Sequence, residues 1–128
     1  MSKKILVVDD EPFVLRSLTY VLAKNGYEAF TARDGEEALK LLQKMKPDIM
    51  FLDVMMPKCS GYEVLRRIRE NPEFDSIYII MLSAKSQERD REKSLALGAN
   101  EFMTKPFSPS RILQRIQEIL TNMVGENG

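Results

Sequence analysis

The chain predicts an α/β fold, a doubly wound parallel sheet of five strands with helices on both faces. Three observations lead there. Short apolar runs alternate with amphipathic stretches through the 128 residues, joined by short connections. One run, Ile77 to Leu82, is apolar nearly throughout, as a strand covered on both faces should be. The units number five, too few for the eight that close a barrel, so the sheet stays open with right-handed crossovers.

The elements follow in order. Residues 5–8 form the first strand, and Pro12 opens a helix at the position that tolerates proline. Val14, Leu15, Leu18, Val21 and Leu22 recur at helical spacing, and Asn25 with Gly26 stops the run. Residues 27–31 alternate weakly and predict a short strand. Asp34 and Glu37 have the spacing of an N-cap and its reciprocal partner. The helix they open buries Ala38, Leu39, Leu41, Leu42 and Met45, and Pro47 ends it.

The third strand covers residues 48–52. Ser60 and Glu63 repeat the capping pattern ahead of Val64, Leu65 and Ile68, and Asn71 with Pro72 breaks that helix. The fourth strand covers residues 77–82. Residues 87–97 form a polar helix whose apolar content is confined to Leu95, Ala96 and Leu97, with Gly98 as C-cap; it should pack least firmly. The fifth strand is near residues 100–103. Ser108 and Pro109 start a last helix with Ile112, Leu113, Ile116, Ile119, Leu120 and Met123 on one face. One domain over residues 1–124, a disordered tail at 125–128 and no effector domain complete the expected organisation.

Composition narrows the function. Nineteen basic and nineteen acidic residues cancel, so charge gives no case for direct contact with nucleic acid or an anionic membrane. No apolar stretch approaches membrane-spanning length, and the basic start at Met1 to Lys4 leads into a strand, not a signal peptide; a cytoplasmic protein is expected. With one cysteine, Cys59, there is no internal disulfide, and with no histidine there is no imidazole catalysis or histidine-held zinc. The eight methionines are expected as core filler.

What remains is chemistry at the strand ends. The first strand runs into Asp9 and Asp10, the third into Asp53, the fourth into Ser83, and the fifth into Lys105 and Pro106. In an open parallel sheet the carboxyl ends of the strands share one edge, where ligands bind. Several carboxylates, a hydroxyl and an amine converging there suit a divalent cation and a phosphoryl acceptor. Taken alone, Asp9 and Asp10 equally suit a helix N-cap, Ser83 a loop residue and Lys105 a solvated lysine.

In combination these residues resemble the receiver domain of two-component response regulators, the CheY-like family. The resemblance covers roughly residues 3–123. Its motifs are Val8, Asp9, Asp10, Glu11 and Pro12; Asp53 to Pro57 with Gly61; Ser83 and Ala84; Gly98 and Ala99; and Thr104 to Phe107. The resemblance implies a flavodoxin-like strand order of 2-1-3-4-5. It implies that Asp53 accepts the phosphoryl group. Mg²⁺ would be held by Asp10 and Asp53, by the Met55 carbonyl, and by Asp9 through water. Lys105 would pair with the phosphoryl oxygens, Ser83 would bond the attached phosphoryl group, and Phe102 would be the aromatic switch. A cis peptide before Pro106 and a tuning of phosphoryl lifetime by Met55 and Lys85 are also implied.

The implied partners are a sensor histidine kinase or histidine phosphotransfer protein upstream, and a target protein or effector domain downstream. The output surface is that of the fourth helix, fifth strand and fifth helix, in a monomer or a phosphorylation-dependent homodimer. Glu101, Arg111 and Arg115 lie near that surface and suit either pairing across a dimer or plain solvation. The charge logic is independent of the family. Three carboxylates sum to about −3, which Mg²⁺ and Lys105 together match, and without metal at least one carboxyl pKa should rise. The competing reading is a receiver-like interaction module that works without phosphorylation. A true phosphatase would carry a second carboxylate at position 55, which is Met55, and a flavin binder would offer donors where this chain is acidic.

Overall fold

The computed structural model describes residues 3–84, 87–105 and 107–127, and over 124–127 the backbone alone. Its elements are β1 (Lys4–Val8), α1 (Pro12–Lys24), β2 (Glu28–Ala32), α2 (Gly35–Leu42), β3 (Ile49–Asp53), α3 (Gly61–Arg69), a 3-10 turn (Pro72–Phe74), β4 (Tyr78–Ser83), α4 (Glu88–Ala96), β5 (Glu101–Thr104) and α5 (Pro109–Asn127). The strands are parallel in the order β2-β1-β3-β4-β5. The expectations placed on Lys85, Pro106 and Gly128 lie outside the described residues.

Strand periodicity divides the core in two. Ile5, Val7, Ile49, Phe51, Ile80, Leu82 and Met103 point to one face and pack on Leu15, Leu18 and Leu22 of α1 and Ile112, Ile116 and Ile119 of α5. Leu6, Val8, Met50, Leu52, Ile79 and Met81 point to the other, against Ala38 and Leu42 of α2 and Val64, Leu65 and Ile68 of α3. This two-sided burial is why the strands read as continuous apolar runs.

Several boundaries differ from the sequence reading. β2, β3, β4 and β5 each lie one residue later, so Asp53, Ser83 and Thr104 belong to the ladder itself. The apolar runs stop at Leu52, Leu82 and Met103, while the hydrogen-bond register carries each strand one residue further, so a polar residue closes three strands and is buried at Asp53 and Ser83. α2 stops at Leu42, ahead of Pro47, because Gln43 and Lys44 donate to Lys40 and Leu41 in tight turns (3.2 and 2.9 Å). α5 runs on through Asn127 and takes in residues 125–127 of the expected disordered tail; extending a formed helix adds one bond per residue fixed.

Caps form as the sequence suggests, with a twist in the reciprocal half. The Asp34 carboxylate accepts from the Glu37 amide at 2.9 Å, while Glu37 reaches the Arg33 amide at 3.4 Å, one residue before the cap. Ser60 accepts from the Glu63 amide at 3.3 Å, but the Glu63 carboxylate pairs with Arg66 and Arg67.

α4 is the outlier. Its one buried side chain is Ser94, while Leu95 and Ala96 are exposed. This is the weak packing expected of the polar helix, and Leu97, just past it, is half-buried against the core. Among the described residues no helix is long and apolar enough to cross a membrane.

Candidate functional site

Strand phase builds the site. Asp9 follows Val7, Asp53 follows Phe51 and Lys105 follows Met103, each two residues on and so on the α1 and α5 side of the sheet. β1 and β3 are neighbours in register, with Val8 opposite Leu52, which brings Asp9 beside Asp53. β5 adds Lys105 just past its last residue, held by its backbone amide on the Ser83 carbonyl at 2.7 Å.

Asp9 is fully buried and Asp53 is 4% exposed, whereas Asp10 is exposed. One carboxylate oxygen from each lies within 4.8 Å of the others, the one such acidic cluster of metal-holding geometry among the described residues. The Lys105 ammonium donates to Asp9 Oδ2 at 2.7 Å and stands 3.4 Å from both Asp53 Oδ2 and Glu11 Oε1. The Met55 amide donates to Asp53 Oδ1 at 3.3 Å. Asp9 Oδ1 also accepts from the Glu11 amide at 2.9 Å, a turn just ahead of α1, whose N-cap residue Glu11 receives no side-chain cap.

Charge crowding shows in the proton equilibria. Burial, then the neighbouring charge of Asp9, pushes the Asp53 carboxyl up from 3.8 to about 6, against the opposing pull of Lys105 and the Met55 amide. Burial disfavours the Lys105 charge, but the bond to Asp9 and the charges of Asp53, Asp9 and Glu11 outweigh it and hold its pKa above the ordinary lysine range. A raised carboxyl pKa, as expected from three crowded carboxylates, is found at Asp53.

Ser83 is 2% exposed and lies opposite Thr104 in the ladder. It keeps the phase of Met81, on the α2 and α3 side, and Phe102 on β5 pairs with Met81 in register. Ser83 and Phe102 thus share one face of adjacent strands. Phe102 is half-buried and lines a groove with Thr104, Phe107, Arg111 and Arg115. The Met55 side chain is 63% exposed, so it is not core filler; the loop turns it outward while its amide faces Asp53.

Two features escaped the sequence reading. Glu11 reaches Lys105, a contact signalled only by its position directly after Asp10. Gly61 was visible as a motif residue, but its reason is spatial: a Cβ there would fall on the carbonyl oxygen of Asp53. Its amide donates to the Val54 carbonyl at 2.9 Å, which anchors the start of α3 on the end of β3.

A cluster of buried strand-end carboxylates around one lysine, on a 2-1-3-4-5 sheet, is matched by a family description: residues 5–117 match the response regulator receiver domain. The chain belongs to that family. The receiver is 48% identical over 120 residues to the alkaline phosphatase synthesis transcriptional regulatory protein PhoP of Bacillus subtilis, covering 94% of this chain and 49% of that protein. It is similar in structure to the chemotaxis protein CheY4 of Vibrio cholerae, with a TM-score of 0.87 and 32% identity, over 92% of this chain and 98% of that one. It is also similar to the response regulator DrrB, a Thermotoga maritima OmpR/PhoB homolog, with a TM-score of 0.85 and 32% identity, over 96% of this chain and 54% of that one. The receiver spans about half the length of the curated relatives it matches. Receivers of this family are signalling switches of two-component systems. They generally bind Mg²⁺ at an acidic site, and the donor set here, three carboxylates converging on one point, fits a hard cation that takes oxygen ligands.

Proposed function

We propose that the receiver accepts a phosphoryl group on Asp53 from a phosphohistidine of a sensor kinase or phosphotransfer protein, in the cytoplasm. The observation that carries this reading is the placement of Lys105: its ammonium sits 2.7 Å from Asp9 and 3.4 Å from Asp53, at the point where three carboxylates meet. Asp53 is the nucleophile in this reading, as its match to the phosphoacceptor of the family implies, and its two oxygens face the Met55 amide and the lysine. Its oxygen forms a bond to phosphorus as the bond from phosphorus to the histidine nitrogen breaks, and the imidazole leaves with the electron pair.

Mg²⁺, when bound by Asp10, Asp53, the Met55 carbonyl and, through water, Asp9, supplies charge neutralisation for the phosphoryl oxygens. Lys105 neutralises the remaining charge. The attached group adds about one negative charge next to Lys105 and Ser83. The Ser83 hydroxyl turns toward it, and Phe102, on the same face of the sheet, follows into the space behind. The surface of α4, β5 and α5 then changes for a target protein or effector domain. No activity is proposed beyond self-phosphorylation and slow loss of the group from Asp53.

The alternative, a module that works without phosphorylation, is not favoured: the chain retains every member of the acid, hydroxyl and lysine set. Intact mass spectrometry after incubation with acetyl phosphate tests the reading. A single phosphoryl adduct that requires Mg²⁺ and is absent in Asp53→Asn supports it; an unmodified mass in folded wild type with Mg²⁺ and acetyl phosphate counts against it.

A further inference from the structure

α4 lacks an apolar anchor, yet it is docked, and what docks it is polar. Tyr62, the second residue of α3, donates its hydroxyl to Asp90 Oδ1 of α4 at 3.2 Å. The Lys93 ammonium, one turn further along α4, lies 4.3 Å from the centre of the same ring. Ser94, the buried residue of α4, turns its hydroxyl back to the Asp90 carbonyl at 2.9 Å, within its own helix. The other carboxylate oxygen, Asp90 Oδ2, is buried without a hydrogen-bond partner, the one such side-chain atom among the described residues. An unpaired buried oxygen disfavours the docked state, because leaving it would return that oxygen to water. The docked helix is therefore held by a few polar contacts against a standing cost, the balance expected of an element with two positions.

The other end of the same residue pair leads to the phosphoacceptor. Tyr62 follows Gly61, whose Cα lies so close to the Asp53 carbonyl that no side chain fits between, and whose amide holds the Val54 carbonyl. A shift of the Asp53 backbone cannot leave Gly61 in place, and Tyr62 moves with it. We propose that Tyr62 is a latch for α4, released when Asp53 is phosphorylated, and that it forms a route from the site to α4 through α3 that does not pass through Ser83 and Phe102. The coupling half of this inference rests on the proposed phosphorylation of Asp53; the latch itself does not.

The experiment is amide hydrogen exchange by mass spectrometry on wild type and Tyr62→Phe, each with and without Mg²⁺ and beryllofluoride as the phosphoryl mimic. Tyr62→Phe keeps the ring beneath Lys93 and removes only the hydroxyl. Without the mimic, α4 peptides of the variant should exchange about three- to tenfold faster relative to β1 peptides, a ratio that discounts any global loss of stability. The mimic should speed α4 exchange in wild type, and in the variant that response should largely disappear. Unchanged relative exchange in α4 of Tyr62→Phe overturns the latch. Faster exchange together with an undiminished response to the mimic overturns the coupling. A wild type that binds no mimic counts against the phosphorylation reading, while the comparison without mimic still decides the latch.

Discussion

Asp53 and Gly61 carry the predictions that single side chains can test. Because burial and Asp9 lift the folded-state pKa of Asp53 to about 6 from 3.8, the folded protein binds this proton more tightly than the unfolded chain does. The contribution of that group to stability is fully present below about pH 4 and is lost as pH rises through about 6. A shift of two units corresponds to about 3 kcal/mol, which residual hydration at the mouth of the site reduces to about 1–2 kcal/mol. In Mg²⁺-free buffer at pH 7.5, urea denaturation should find Asp53→Asn more stable than wild type by that amount, with the gap closing toward pH 4. Gly61→Ala tests steric closeness: its methyl group meets the Asp53 carbonyl, and a loss of about 1–3 kcal/mol in the same assay is expected. If Gly61→Ala were neutral, α3 would not sit where it is described.

At the scale of elements, the sequence marked all five strands and the five α-helices, but it placed the ends of β3, β4 and β5, at the site itself, one residue early. The apolar runs stop at Leu52, Leu82 and Met103, so a reading based on hydrophobicity stops there too, while the ladder continues through Asp53, Ser83 and Thr104. The meeting of Asp9, Asp10, Asp53 and Lys105 was legible because topology gathers strand ends, whatever their separation in sequence. Contacts that depend on long side chains were not legible. Arg69 is the clearest case: from the last turn of α3 it donates to the carbonyls of Gly98, Phe74 and Ile77 and to Asn100 Oδ1, tying α3 to the segments that lead into β4 and β5. Nothing in its spacing distinguishes it from the solvated Arg66 and Arg67 beside it. Arg69→Met should therefore cost about 2–3 kcal/mol in urea denaturation by stripping half-buried acceptors of their donor, whereas Arg67→Met should fall within about 0.5 kcal/mol of wild type. Arg115 shows the same limit. It grips Glu101 with bonds of 2.6 to 2.9 Å, and Tyr78 donates to that carboxylate at 2.9 Å, so this pair is closed within one chain before any dimer forms.

For the molecule as a whole, the sheet delivers carboxylates from β1 and β3 and a lysine from β5 to one edge, and the repulsion between the carboxylates is the reserve on which a cation acts. Mg²⁺ at about a hundred times its dissociation constant should stabilise the fold by about 2.7 kcal/mol, seen as a rise in Tm, and the rise should shrink in Asp10→Asn and in Asp53→Asn. A rise of equal size in all three proteins would place the cation elsewhere. The central claim, that this edge exists to phosphorylate one particular carboxylate, is met most directly by trapping the product. Borohydride reduces an acyl phosphate to the alcohol, converting the modified aspartate to homoserine, and peptide mass mapping then locates it. After acetyl phosphate and Mg²⁺, the account predicts homoserine at position 53 and unmodified Asp9 and Asp10. Homoserine at position 9 or 10, or none at any position, would contradict it.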